Sequence, residues 1–221
     1  MILLIVLPAL LFAVTVHEYA HGWVAERRGD STARLSGRLT LNPIAHIDPV
    51  GTIIFPLFLY ITQVHIMKVE TPLIFGWAKP VPVNFRNLRN PKQDMIAVGL
   101  AGPLANIILA ILCTLFLRAG IIEPYTFIGK LLGFGIFINL LLAVFNLIPI
   151  PPLDGSRILT GLLPPQLART YNKLERFGFI ILLFALFYFG LLRFIGFIVM
   201  LLAQLLLGPQ LFMELLGKVL K

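Results

Sequence analysis

The feature that most limits what this chain can fold into is an apolar run over residues 95–117, which contains no charged residue. A helix of about 20 residues crosses the hydrocarbon core of a bilayer, and this run is about 23 residues long. The rest of the chain has the same character, with 58% hydrophobic and only 13% charged residues and a mean hydropathy of +0.93. These values lie well outside the range of soluble globular domains. The sequence therefore predicts an integral membrane protein.

Further apolar stretches predict more crossings of the bilayer. The first helix is expected over about residues 2–25, with Gly29 as its stop signal, and another over about residues 131–148. A third stretch, residues 51–67, is barely long enough to cross and contains Pro56. A proline inside a helix bends or breaks it, so this third stretch is not expected to be a simple span.

The last apolar stretch, residues 178–207, is interrupted by Arg193. We expect one span ending near Arg193, then an interfacial or partly re-entrant segment, and a short amphipathic tail over residues 209–221. The whole chain, residues 1–221, is expected to form a single domain, with a catalytic core over about residues 2–155 and C-terminal helices over about 178–221. The predicted fold class is an all-α polytopic membrane protein with about four to six transmembrane helices.

Two polar segments between the apolar runs suggest short strands. Residues 38–41 alternate polar and apolar side chains, as a strand does, and residues 79–84 are spaced by prolines, which suits an edge strand or an irregular loop. His46 and Asp48 lie in the first of these regions, where they serve either as partners of a metal ligand or, more simply, as turn and cap residues. We expect short strands and a re-entrant segment near the functional site.

The first candidate residues for a functional site are His17, Glu18 and His21, at the end of the first apolar stretch. Residues four apart share one face of a helix, so the two imidazoles can reach a single metal ion. Glu18 beside them can take a proton from an attacking water, as in a His-Glu-x-x-His zinc hydrolase. Two buried histidines that only share a face are the simpler alternative. Ionisable groups in a membrane helix are costly, however, and this favours a functional site.

A second polar position follows the stretch 131–148. Three prolines between residues 149 and 152 cannot continue a helix, and irregular backbone at membrane depth must lie against protein or a water-filled cavity. Asp154 comes directly after them. A carboxylate is the type of third ligand that a His-Glu-x-x-His zinc site needs, with the fourth position left to water or substrate. Asn106, inside residues 95–117, seeks a polar partner in lipid, although ordinary helix packing explains it equally well.

Together these stretches resemble the site-2 protease family of intramembrane zinc metalloproteases, peptidase family M50. The resemblance rests on His17-Glu18-x-x-His21-Gly22, on the run Ala101-Gly102-Pro103-Leu104-Ala105-Asn106, and on Asn146 followed by Asp154-Gly155. It covers about residues 10–177 and is similar to the compact form, without a PDZ domain or a C-terminal nucleotide-sensing CBS module.

The resemblance implies a role for each of six residues. His17, His21 and Asp154 would bind one Zn²⁺ per chain, and Glu18 would act as the general base. Asn146 would steady the substrate or the oxyanion. Asn106 would lie near the site, on the substrate side, without binding the metal.

The resemblance implies an intramembrane zinc metalloendopeptidase that hydrolyses peptide bonds in or near transmembrane segments, as in regulated intramembrane proteolysis. Two alternatives stay open. An iron-dependent membrane oxidoreductase or desaturase needs many histidines, but this chain has four. A non-catalytic membrane scaffold could keep the protease fold, but it would have little use for Glu18 beside a complete ligand set. The expected partners are a transmembrane protein or peptide substrate and the lipid bilayer.

Charge predicts the orientation. The net charge of +8 does not indicate nucleic-acid binding, because the basic residues lie between the apolar runs, where they anchor and orient a membrane protein. Most of them flank the membrane face at which the three motifs would meet, called here the motif face. By the positive-inside rule this face is cytoplasmic, in a prokaryotic plasma membrane. The single cysteine, Cys113, cannot form an internal disulfide, and the oligomeric state is left open.

The motif face also limits the topology. The first span ends at this face, residues 95–117 start from it, and residues 131–148 return to it. The chain between residues 27 and 94 must therefore cross an even number of times. We expect residues 51–67 to enter from the motif face and come back, as a re-entrant hairpin or as a helix paired with an extended return through residues 71–77.

Overall fold

The computed structural model describes residues 3–66, 68 and 76–219, and within them all regular structure is helical. The α-helices are α1 Leu3–Arg27, α2 Thr32–Leu35, α3 Phe55–Ile61, α4 Pro91–Arg118, α5 Phe127–Asn146, α6 Asp154–Leu162, α7 Pro165–Asn172, α8 Gly178–Phe187, α9 Leu191–Leu207 and α10 Pro209–Val219. The 3₁₀ turns are Pro43–His46 and Lys173–Phe177, and the π-helical turns are Pro49–Ile54 and Thr62–Ile66.

Three helices among the described residues are long and apolar enough to cross a membrane: α1, α4 and α5. A fourth span results if the run Pro165–Phe187 and α9, which meet at a bend of 72°, are counted as one crossing. The all-α polytopic fold is confirmed, and the expected range of four to six spans is reached only if the bent pair is counted. The helices α1, α4 and α5 pack against one another in a bundle that carries the polar residues of the sequence motifs.

The helices α1 and α4 run antiparallel. His21 near the end of α1 contacts Val98 near the start of α4, whereas Ala13 further back in α1 contacts Asn106 further along α4. The end of α1 is also tied directly to the start of α4. Arg28 forms an ion pair with the buried carboxylate of Asp94 at 3.1 Å. Asp94 in turn accepts a hydrogen bond from the backbone N–H of Asn90. Both polar ends therefore lie on the motif face.

The larger hydrophobic core joins the C-terminal helices to the bundle. Its buried residues come from α4, α5, α9 and α10: Ala110, Leu117, Ile136, Leu140, Ile195, Val199, Ala203, Leu207, Phe212 and Leu215. The bend between α8 and α9 lies at Tyr188–Gly190, just before Arg193, which belongs to the first turn of α9. Gly190 has a φ of 69°, a left-handed conformation that glycine adopts without strain and that ends a helix. The break thus comes three residues before the expected position, and the expected interfacial or re-entrant segment after it stays a prediction.

The region between Asp154 and α8 is helical. It consists of α6, α7 and the 3₁₀ turn Lys173–Phe177. Close packing of α6 on α4 depends on small residues, because a Cβ on Gly161 would lie 2.8 Å from the carbonyl oxygen of Lys92, and one on Gly99 would lie 3.2 Å from that of Asp154. This close approach carries the start of α6 toward the histidines of α1.

No strand forms at residues 38–41 or 79–84, both of which lie in the described part of the chain, so the expected short strands are not confirmed. The backbone N–H of Arg38 bonds to the carbonyl oxygen of Ala33 in α2, and the chain then bends. In residues 79–84, the backbone groups bond to side chains and isolated carbonyls instead of to a neighbouring strand. A four-residue alternation was too short a signal to specify a sheet.

The apolar stretch expected at residues 51–67 is one helical run, Pro49–Ile66, which changes between π and α geometry around Pro56. The chain later comes back to the start of this run. The N–H of Trp77 donates to Gly51 O at 3.1 Å, and the N–H of Lys79 donates to His46 O at 3.0 Å. The expected extended return through residues 71–77 falls mostly outside the described residues.

Candidate metal centre

Three candidate ligand atoms meet where α1, α4 and α6 converge. Nε2 of His17 lies 3.1 Å from Nε2 of His21, and Oδ2 of Asp154 lies 3.1 Å and 3.2 Å from these two nitrogens. Among the described residues this is the one group of three or more potential ligands close enough to share an ion. Tetrahedral zinc with bonds of about 2.0–2.1 Å separates its ligand atoms by about 3.3 Å. The two nitrogens and one oxygen therefore fit zinc, a donor set typical of catalytic sites.

Both imidazoles are buried and are held through their other ring nitrogen. Nδ1 of His21 lies 2.7 Å from the carbonyl oxygen of Val98. A carbonyl only accepts, so Nδ1 carries the hydrogen and Nε2 presents its lone pair to the ligand group. Nδ1 of His17 lies 2.5 Å from the side-chain oxygen of Asn106, an arrangement that favours the same tautomer.

Gly102 provides the open space beside the ligand group. A Cβ at this position would lie 2.6 Å from Nε2 of His17 and closer still to Nε2 of His21. Because α4 crosses α1 at this point, any larger residue would fill the space that the three ligand atoms enclose. The glycine of the Gly-Pro-x-x-Asn run is therefore required by the geometry of the site.

Asp154 reaches the histidines because the chain turns sharply after α5. The prolines at residues 149, 151 and 152 end the helix, and α6 begins at Asp154 itself. A Cβ on Gly155 would lie 2.5 Å from the carbonyl oxygen of Ile148, so only glycine permits this turn. The carboxylate is half-buried and lies at the N-terminus of α6, where the helix dipole stabilises its negative charge.

Glu18 lies beside His17 on α1 and is half-buried. Its Oε2 accepts a hydrogen bond of 2.7 Å from the backbone N–H of Val81. This bond fixes one carboxylate oxygen and leaves the other lone pairs of the group for a water molecule. Sequence reasoning missed Val81, because its contribution comes from the backbone and carries no side-chain signal.

Val81 belongs to an irregular segment, residues 76–84, called here the strap. Hydrogen bonds hold the strap along its length. They include Trp77 N–H to Gly51 O, Lys79 N–H to His46 O, Arg38 to Lys79 O, Val81 N–H to Glu18, and Asn84 N–H to Asp30. Pro80 and Pro82, which flank Val81, have no N–H to offer. The strap is therefore a poor edge for pairing with another chain.

Asp30 anchors the far end of the strap. Its buried carboxylate accepts hydrogen bonds from the N–H of Asn84 at 2.7 Å, from the side chain of Asn87 at 2.9 Å, and from both the N–H and the hydroxyl of Thr32. Burial alone would raise the pKa of Asp30. The hydrogen bonds outweigh burial and hold its pKa below the ordinary value.

His46 and Asp48, for which the sequence left two roles open, have structural roles in the fold. Nε2 of the buried His46 lies 2.9 Å from the carbonyl oxygen of Thr40. Asp48 caps the π-helical turn, because its side chain accepts from the N–H of Gly51 at 2.6 Å. Neither lies within the ligand group, which agrees with the turn-and-cap interpretation.

Asn106 is completely buried and its amide is fully used. Its oxygen faces Nδ1 of His17, and its nitrogen donates to the carbonyl of Ala13 at 3.2 Å and to the side chain of Asn139 at 2.7 Å. It lies near the site without being a metal ligand, and its expected contact with substrate stays a prediction. Asn139 was not singled out in the sequence, since its only signal was a polar residue in an apolar run.

Asn146 lies at the C-terminal end of α5. Its amide nitrogen donates to the carbonyl oxygen of Leu142 in the same helix at 3.0 Å. The side chain is half-buried, and no contact with His17, His21 or Asp154 is described for it. Its role in holding the substrate or the oxyanion stays a prediction.

Comparison with known proteins places this geometry in context. The family model described as Peptidase family M50 matches residues 5–128 and 123–188. The chain is 38% identical over 183 residues to YwhC of Bacillus subtilis (strain 168), named as a candidate zinc metalloprotease, with 79% of this chain and 76% of YwhC covered. No solved structure matches the chain.

Two further relatives carry the same kind of name. Rip2 of Mycolicibacterium smegmatis is 29% identical over 180 residues, covering 81% of this chain and 65% of Rip2. MJ0611 of Methanocaldococcus jannaschii is 44% identical over 62 residues, covering 28% of this chain and 31% of its own. Both are named as candidate zinc metalloproteases.

Proposed function

Because the chain belongs to peptidase family M50 and is a zinc metalloprotease of the membrane, we propose that it hydrolyses peptide bonds in or near the transmembrane segments of membrane-protein substrates. The observation that carries this proposal is the position of the metal centre. Two of its three ligands, His17 and His21, lie inside α1, which is itself long and apolar enough to span the bilayer. This position favours a substrate segment that lies in or near the same bilayer.

The depth of the centre follows from the interfacial residues of α1. Trp23 is 43% exposed, and the guanidinium of Arg27 lies 4.7 Å from its ring centroid. Tryptophan and arginine at a helix end are typical of the membrane–water interface. At 1.5 Å per residue, His21 lies about 3 Å and His17 about 9 Å further along α1 toward the lipid. The centre is thus close enough to the interface for water to reach it.

Four residues divide the chemistry of peptide hydrolysis. His17, His21 and Asp154 would hold zinc, which supplies Lewis acidity that activates water and polarises the scissile carbonyl. Glu18 takes the proton from the attacking water and returns it to the leaving amine. The N–H of Val81 orients the carboxylate for this transfer. We assign Asn146, at the end of α5, the role of steadying the substrate or the oxyanion.

A helical substrate must unwind before its scissile bond is accessible, because the carbonyl groups of an intact helix are bonded within the helix. The unwound substrate segment cannot easily pair with the strap as an added strand, because Pro80 and Pro82 lack the N–H groups that such pairing needs. The unwound segment therefore has to lie against the half-buried side of the centre, near Glu18 and Asp154. Substrates whose transmembrane segments carry helix-breaking residues near the motif face are expected to be cleaved best.

We further propose that the motif face is cytoplasmic, in a prokaryotic plasma membrane. The basic residues on this side are Arg27, Arg28, Arg34, Arg38, Lys68, Lys79, Arg86, Arg89, Lys92, Arg157, Arg169, Lys173 and Arg176. Such an excess of Lys and Arg favours the cytoplasmic side. The relatives come from bacteria and an archaeon, which supports a prokaryotic membrane.

The proposal is tested with purified protein reconstituted in liposomes together with a model single-span substrate. The wild-type protein should release two fragments cut in or near the span. The Glu18→Gln variant should retain zinc and release none, because the amide keeps the shape of the side chain and cannot accept the proton. Cleavage at the wild-type rate by Glu18→Gln would refute the catalytic assignment. Cleavage confined to a soluble loop of the substrate would refute the intramembrane one.

A further inference from the structure

Asn139 is a buried amide in the middle of α5 that the roles described so far do not explain. Its side chain is 3% exposed, and it lies outside the three sequence motifs. A polar side chain in an apolar span is costly unless it has a partner, and such residues mark function more often than chance. Its partner is Asn106, which in turn contacts the metal ligand His17.

The orientation of the Asn139 amide is fixed by its own helix. Its Nδ2 donates to the carbonyl oxygen of Gly135 at 2.8 Å. A carbonyl cannot donate, so the nitrogen end of the amide must face Gly135 and the oxygen end must face the other way. Oδ1 of Asn139 then accepts from Nδ2 of Asn106 at 2.7 Å.

Asn139 thereby sets the orientation of the second amide. The NH₂ group of Asn106 has two hydrogens, one donated to Asn139 and the other to Ala13 O at the longer distance of 3.2 Å. The oxygen of Asn106 is left facing Nδ1 of His17 at 2.5 Å. This nitrogen must then donate, which places the hydrogen on Nδ1 and the lone pair on Nε2, where the ligand group converges.

The tautomer is fixed more firmly for His21 than for His17. His21 is held by the backbone carbonyl of Val98, which can only accept. His17 is held by an amide, and the two ends of an amide have nearly the same shape but opposite hydrogen-bonding character. If Asn106 turned over, its NH₂ would face Nδ1 of His17, the hydrogen would move to Nε2, and Nε2 could no longer bind a metal.

We propose that Asn139 is a positioning residue that locks the Asn106 amide and so selects the metal-binding tautomer of His17. This inference rests on the zinc centre of the proposed function. Partners that orient metal-bound histidines typically contribute 10- to 100-fold to metal affinity. The role belongs to the acceptor oxygen of residue 139, not to the bulk of its side chain.

Zinc affinity, measured by chelator competition on purified protein in detergent, tests this role. Asn139→Leu removes the acceptor at similar size and should weaken zinc binding about 10- to 100-fold. Asn139→Asp keeps an acceptor oxygen toward Asn106 and should stay within a few-fold of wild type. Thr114→Val is the matched control, because it removes another buried polar group, bonded only within α4 at Ala110 O, and should leave zinc affinity unchanged.

A double variant separates orientation from general packing. Asn106→Asp has an acceptor oxygen at both ends, so it cannot present a donor to His17 whichever way it turns. Adding Asn139→Leu to Asn106→Asp should therefore not weaken zinc binding further. A melting temperature for each variant identifies any that fail to fold, and the double-variant comparison then decides the question within the Asn106→Asp background.

Two results would overturn the inference: zinc affinity of Asn139→Leu equal to wild type, or an equal loss from Asn139→Leu in both backgrounds. These results differ from a failure of the proposed function. If the wild-type protein itself bound no zinc, the metal centre and this inference would both fall. If wild type bound zinc without cleaving a membrane substrate, the role of Asn139 would stand.

Discussion

The backbone N–H of Val81 donates to the carboxylate of Glu18 across 2.7 Å, which joins the strap directly to the proposed general base. The side chain of Val81 is buried against α1, where a Cβ on Gly22 would lie 3.0 Å from its Cγ1. One residue thus contributes a packing contact through its side chain and a hydrogen bond through its backbone. The two contributions can be separated by substitution.

Val81→Pro removes the N–H, whereas Val81→Ala removes most of the side chain and keeps the N–H. We expect Val81→Pro to lower kcat about 10- to 100-fold relative to Val81→Ala, since a hydrogen bond to a charged group contributes about 1.5–3 kcal/mol. Zinc content should be the same in both variants. The measurement is cleavage of a model membrane substrate under saturating conditions. Equal kcat values for the two variants would show that the backbone bond does not assist Glu18.

Gly102 offers a second test, because the space it leaves lies beside the ligand atoms. Gly102→Ala should abolish stoichiometric zinc binding, since the new methyl group would lie 2.6 Å from Nε2 of His17. Gly196→Ala in α9 is the control, because a Cβ there meets open space. Zinc content is measured on both purified proteins. A Gly102→Ala protein that holds zinc as wild type does would mean that the ion does not lie in this space.

The strap should become less stable in acid because of Asp30. The folded-state pKa of Asp30 lies below its unfolded value of about 4, so its hydrogen bonds stabilise the folded protein fully above that value. This stability is lost as the pH falls through the folded pKa. Asp30→Asn should therefore melt at a lower temperature than wild type at pH 7, and the difference should shrink as the pH falls below about 4. A difference in melting temperature that is independent of pH would contradict this assignment.

Orientation in the membrane can be read from the accessibility of single cysteines. In a Cys113→Ser background, Arg34→Cys, Arg89→Cys and Arg169→Cys all replace exposed residues. A membrane-impermeant thiol reagent should label all three from the cytoplasmic side. Labelling of positions 34 and 89 from opposite sides would refute an even number of crossings between them. Labelling of all three from outside would keep the topology and reverse the orientation.

Local patterns of the sequence were sufficient to locate the long spans and to single out the three side chains that meet where α1, α4 and α6 converge. Hydropathy located α4 and α5 to within a few residues, because a bilayer demands long apolar helices. The i, i+4 spacing placed His17 and His21 on one face. The proline break predicted a polar environment at the position of Asp154. Each of these signals is contained in a short stretch of chain.

Several features of the site were not predicted from the sequence, because they depend on contacts between distant segments or on backbone atoms. The role proposed for Asn139 depends on its hydrogen bond with Asn106, which is 33 residues away along the chain. Val81 contributes an N–H that every residue except proline possesses. The strand expected at residues 38–41 is absent for a related reason, since the N–H of Arg38 bonds to Ala33 O and the carbonyl of Thr40 faces His46 instead of a neighbouring strand. Residues 79–84 form the irregular loop that the sequence left as an alternative, with backbone groups bonded to Arg38, Glu18 and Asp30.

The central claim is that His17, His21 and Asp154 together hold one zinc ion. The most direct test is the zinc content of the purified protein, determined by mass spectrometry for wild type and for Asp154→Ala after dialysis against a weak chelator. Wild type should retain about one zinc per chain, and Asp154→Ala should lose it, because two imidazoles alone bind zinc far less tightly than a complete three-residue set. An Asp154→Ala protein that retained zinc at the wild-type level would contradict the account.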